Sequence, residues 1–97
     1  MRQFDSGATR DNDKPYDQEG FLSPIVLKRF CEYMERNRKQ ADGQLRTSDN
    51  WQKGIPRKEY WKSHIRHTFD AWNQHRKSDM VDGDLLCAIM FNIMGYL

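Results

Sequence analysis

Apolar side chains recur at helical spacing in three stretches of this chain, and the polar runs between them set the boundaries. Val26, Phe30, Tyr33 and Met34 form the first stripe, which fades into the wholly polar Arg36-Asn37-Arg38-Lys39-Gln40. Ser23-Pro24 opens it, a capping hydroxyl followed by a proline whose missing N–H costs nothing in the first helical turn. The spacing predicts a helix over 24–39. Trp61, Ile65, Phe69 and Trp72 mark a second helix over 56–76, with this stripe expected to face the core. Ser78-Asp79 and Asp82-Gly83 end it, and a third helix over 82–97 is apolar on nearly every side. Between the first two helices, 41–55 holds Asp42-Gly43, Ser48-Asp49-Asn50 and Gly54, which are turn residues without a sustained period. No stretch alternates with period two for long enough to predict a strand. The expectation is an all-α fold, a small bundle of three main helices with a long loop between the first two. Residues 1–20 form an extended polar arm in this reading, and 21–97 the helical domain.

The third helix changes the picture further. Asp84, Ala88, Asn92 and Gly95 fall within about 80° of one another around its axis, a small and polar stripe that admits close approach by another element or a ligand. Leu86, Met90, Ile93, Met94 and Leu97 cover other directions and exceed what one small domain can hide, which points to a homo-oligomer. Burying the Asn92 amide costs a few kcal/mol (about 1–3) unless it finds partners, so it either completes a core network or lines a polar pocket.

With 97 residues the chain is one domain, and 37% hydrophobic content leaves it a modest core. Sixteen basic against 14 acidic side chains leave a net charge of +2, which argues against capture of a nucleic acid polymer by a bulk basic field. No apolar run of about 18 residues and no basic-then-apolar leader is seen, so a cytoplasmic protein without membrane contact is expected. Cys31 and Cys87 lack metal-ligand spacing and sit among apolar neighbours, as buried reduced thiols do.

The candidate chemistry lies in two places. Glu32 and Glu35 form an i,i+3 carboxylate pair on the first helix, and His67 and Asp70 lie one turn apart on the second. Carboxylates of this kind can share a Mg²⁺ ion with ligand phosphates, since Mg²⁺ takes oxygen ligands and keeps its waters. The same side chains neighbour Arg29, Arg36 and Arg66, with which they can also form ordinary helix-surface pairs. In the loop, a base can stack on Trp51 while Lys53 meets a phosphate, with Lys14 and Arg10 of the arm as further phosphate contacts. Trp51 can equally cap the core.

Taken in order, Arg10-Asp11-Asn12-Asp13-Lys14-Pro15, Phe21-Leu22-Ser23-Pro24, Asn50-Trp51-Gln52-Lys53-Gly54, Arg66-His67 and the segment from Asp84 to Asn92 resemble the phage family of dATP/dGTP diphosphohydrolase N-terminal domains. The resemblance spans 10–97, and its most specific parts are Asn50-Trp51-x-Lys53-Gly54 and Arg66-His67 followed by Ala88-x-x-x-Asn92. Asp84 stands where the family usually has histidine, residues 41–48 form a longer insertion, and only His67-x-x-Asp70 answers the second carboxylate pair of helical pyrophosphohydrolases. The resemblance implies a phage nucleotide-binding protein acting on dATP or dGTP in the host cytoplasm. It further implies a Mg²⁺-dependent hydrolase releasing pyrophosphate. In that reading His67, Asp70 and Glu32 are catalytic, and Glu32, Glu35 and Asp70 hold the metal. Lys14, Trp51, Lys53, Arg66, Asp84 and Asn92 contact the nucleotide. The alternatives are a non-catalytic protein that sequesters a nucleotide and blunts host nucleotide signalling, and a structural or protein-interaction module.

Overall fold

The computed structural model describes residues 2–10 and 16–97. The chain is mainly helical, as expected, and three long helices carry its body: α2 (Pro24–Arg36), α3 (Arg57–Ser78) and α4 (Gly83–Tyr96). Three small elements lie in or at the end of the segment expected to be an extended arm. Strands β1 (Arg2–Gln3) and β2 (Thr9–Arg10) pair antiparallel, with Arg2 opposite Arg10, around a turn in which Gly7 takes a positive φ of 89°. The one-turn helix α1 (Gln18–Phe21) is capped by Asp17, whose carboxylate accepts from the Gly20 N–H at 2.9 Å. None of these three elements buries a residue.

The helix boundaries follow from local chemistry. Ser23 caps α2 by accepting from the Val26 N–H at 3.3 Å, with Pro24 in the first turn. The helix stops at Arg36 rather than Lys39, because the Asn37 amide donates to the Tyr33 carbonyl at 2.8 Å and takes one of the terminal acceptors. Helix α3 ends at Asp79, in the left-handed region at φ 61°, with its N–H donating to the His75 carbonyl. The reversal into α4 is tied by Gln74, whose side-chain oxygen accepts from the Asp82 N–H at 2.8 Å, and Asp82 then caps α4.

Helices α3 and α4 form the main packed pair, and α2 crosses α4 on a second side. The small stripe of α4 is what lets α3 in. Ala88 and Asn92 are buried, and a Cβ on Gly95 would collide with the ring of Tyr60, itself buried. Tyr60 also meets Phe91 edge to face, with ring centroids 5.6 Å apart. The face α3 turns to α4 carries Tyr60, His64, His67, Ala71 and Gln74, all buried or half-buried. The expected core stripe is therefore on the outside: Trp61 is 52% exposed, Ile65 38%, Phe69 60% and Trp72 59%. The cause is steric. A helix line of Ala88 and Gly95 is matched by one large ring and an alanine, not by four bulky side chains in a row. Cys31 departs from expectation too, since it is exposed, while Cys87 is buried and both thiols are free.

Candidate functional site: a cleft between α2, the 46–51 segment and α4

The residues between α2 and α3 form an ordered return rather than an open loop. Asp42-Gly43 makes the turn, with Gly43 at φ 85° and the Asp42 carboxylate accepting from the Gln44 N–H. Lys39 bridges Leu45, and the Arg46 N–H donates to the Arg38 carbonyl at 2.8 Å, while Arg38 Nε donates to the Arg46 carbonyl at 2.8 Å. This two-way clamp brings Arg46, Thr47 and Ser48 back over the end of α2. The chain then enters a short 3₁₀ turn, Asn50–Lys53, closed by Gly54 at φ 99°.

A cleft of about 410 Å³ opens beneath this return. Phe30, Met34, Trp51, Phe91 and Met94 supply its apolar walls, and Glu35, Asn37, Arg38, Arg46, Thr47, Ser48 and Asn50 its polar rim. Arg38 is engaged: its Nη1 donates to both Glu35 oxygens, at 3.0 and 3.2 Å. Among the described residues the Arg46 side chain makes one long contact, 3.4 Å from Nη1 to the Asn37 carbonyl, so its guanidinium has donors to spare at the rim. An apolar floor with a few convergent donors is the usual form of a small-molecule site, and the volume falls within the ordinary range of about 300–1,000 Å³.

Of the residues singled out from sequence, Trp51 and Glu35 line this cleft, and Lys53 sits at the exposed end of the 3₁₀ turn outside its lining. Lys14 lies outside the described residues. His67, Asp70 and Asp84 come together elsewhere, in a shallow depression with Tyr33 and Gln74 where α2, α3 and α4 meet. There Asp84 gives both oxygens to Arg36 at 2.9 Å, a bidentate pair across α2 and α4. The Arg36 guanidinium holds the Asp84 carboxyl below the usual carboxylate range, and burial, followed by the Asp84 charge, pushes the Tyr33 phenol up. Asp84 is thus occupied as a strap between helices. Arg66 is exposed on α3 and donates to Ser63 at 3.3 Å. Asn92, 5% exposed, lines a third and smaller cavity of about 120 Å³ with Tyr60, Trp61, His64 and Tyr96. In that cavity His64 Nδ1 is buried without a partner among the described residues.

The donor set does not fit Mg²⁺ within one chain. Among the described residues no three His, Cys, Asp or Glu side chains form a group able to hold an ion, so Glu32, Glu35 and Asp70 do not converge. Glu35 has both oxygens turned to Arg38. No catalytic step through a metal follows from this arrangement.

Sequence reading missed most of the cleft. Arg46, Thr47 and Ser48 reach it only because the Asp42-Gly43 turn folds the chain back over the end of α2, and Phe91 and Met94 reach it because α4 packs against α2. That dipeptide was the available signal, flanked as it is by Lys39 and Leu45 at a spacing that suits a hairpin. Among the described residues no helix is long and apolar enough to cross a membrane. Comparison of the chain with protein-family models, with curated proteins and with solved structures gives no match.

Proposed function

We propose that this chain binds a purine nucleotide, or a closely related phosphorylated small molecule, in the cleft between α2, the 46–51 segment and α4. The observation that carries the reading is the juxtaposition of Trp51 and the Phe30–Phe91 walls with Arg46 and the Asn50, Thr47 and Ser48 groups in one 410 Å³ space. A flat base lies against aromatic and thioether walls, and a guanidinium with free donors meets phosphate oxygens. The role first expected of Lys53 passes to Arg46 in this proposal. The compartment proposed is a cytoplasm, the host's if the chain is phage-encoded.

Binding without turnover is the reading we favour, because the carboxylates needed for a metal-held phosphate are apart in the single chain. Hydrolysis to release pyrophosphate is the second reading, and the resemblance of Asn50-Trp51-x-Lys53-Gly54 and Arg66-His67 to the diphosphohydrolase domains favours it. Calorimetry of the full chain against dATP, dGTP, cyclic and ADP-ribose-like nucleotides, with and without Mg²⁺, tests the common element. Saturable binding that Arg46→Ala weakens supports the site; no heat from any of them rejects it. Pyrophosphate in the dGTP mixture identifies the enzyme, and intact ligand recovered after heat denaturation identifies the sequestering protein.

A further inference from the structure

We infer that the outer faces of α3 and α4 are an interface between two copies of this chain, with α3 of each copy packed on α4 of the other. The first ground is area. An ordinary monomer of 11.6 kDa exposes about 5,800 Å², and this chain exposes 8547 Å². The N-terminal hairpin and α1, which bury nothing, account for part of the excess. Helix α2 adds to it as well, since it buries no residue and exposes Ile25, Val26 and Leu27, but the longest continuous apolar face runs over α3 and α4.

On α3 the exposed stripe is Trp61, Ile65, Phe69 and Trp72. On α4 it is Leu86, Ile93 and Tyr96, at 45%, 47% and 43% exposure. Trp61 and Tyr96 touch, with ring centroids 5.7 Å apart, so the two stripes join into one face at the Trp61 end. Together these side chains offer on the order of 700 Å², close to the ~800 Å² per partner of a stable interface.

Charge decides how two such faces meet. Lys58 and Arg76 lie in line with the α3 stripe at its two ends, and Lys62 flanks it. Packing α3 on its own copy would set Lys58 against Arg76 if antiparallel, or each against itself if parallel, and like charges repel either way. From Leu85 to Leu97 helix α4 carries no charged side chain. Its stripe accepts the lysine and arginine stems of α3 without opposing their charge. The reciprocal arrangement, α3 on α4 twice over, is self-complementary about a two-fold axis and closes as a four-helix bundle.

Two substitutions at the middle of the stripes, Phe69→Glu and Ile93→Lys, test both the dimer and its pairing. The unsubstituted chain should have twice the 11.6 kDa mass by light scattering at tens of micromolar. Its melting temperature should also rise with concentration. Each variant alone should fall to the monomer mass, or lose helicity by circular dichroism if the monomer cannot fold. Mixing the two should restore both mass and helicity, because one contact stays native and the other gains a salt bridge. A monomer whose melting point ignores concentration overturns the inference. So does a dimer broken by only one of the two substitutions, which would mean that like helices pair.

Discussion

Gly95 and Tyr60 show how a single missing side chain positions this fold. The absent Cβ leaves the space into which the Tyr60 ring packs, and with it α3 seats on α4. Gly95→Ala gains about 1 kcal/mol of helix propensity but forces the ring aside, an overpacking cost of about 1–3 kcal/mol. A net loss of stability is expected in urea titration, where a raised midpoint would mean that the ring moves freely. Asp84 gives a second prediction. Its carboxyl is held below the ordinary range by Arg36, so its contribution is complete above the unfolded value of about 4 and is lost as pH falls through the lower folded value. The stability gap between the native chain and Asp84→Asn should therefore be constant from pH 7 to about 5 and shrink in stronger acid. A gap that stays constant to pH 2 would show that the pair contributes nothing.

At the scale of elements, the decisive segment is the return from Arg38 to Asn50, which turns the end of α2 into one wall of a cleft. Trp51→Ala should weaken nucleotide binding roughly ten- to hundredfold, since a base stacked on an aromatic ring is worth about 1–3 kcal/mol. Helix content by circular dichroism should hardly change, because Trp51 lies in the short 3₁₀ turn outside the three long helices and is 38% exposed. Unchanged affinity would place the base elsewhere. The helices themselves were legible in the sequence: Ser23-Pro24, the 61–72 periodicity and Asp82-Gly83 mark α2, α3 and α4 to within three residues. What the periodicity could not tell was which face of α3 is covered within the chain. An aromatic stripe reads as core whether the core belongs to one chain or is completed by another, and only the small residues of α4 show where α3 fits. The β1–β2 hairpin and α1 were missed because two-residue strands and one-turn helices carry no measurable period.

At the scale of the whole molecule, a radius of gyration of 19.2 Å against about 12–13 Å for a compact chain of this length describes a body with more reach than core. Asp84, His67 and Asp70 were expected beside Trp51, and the helices set them at a separate meeting point. Spacing along one helix fixes which side chains share its face, but not which other helix that face meets. The cleft, rather than that depression, is therefore the central claim, and amide-resolved NMR of the labelled chain titrated with dGTP addresses it most directly. Shifts should appear at the Trp51 indole and at Asn37, Arg46, Ser48 and Asn50, with His67, Asp70 and Asp84 unmoved. Shifts centred on His67, Asp70 and Asp84, or none at millimolar nucleotide, would contradict it.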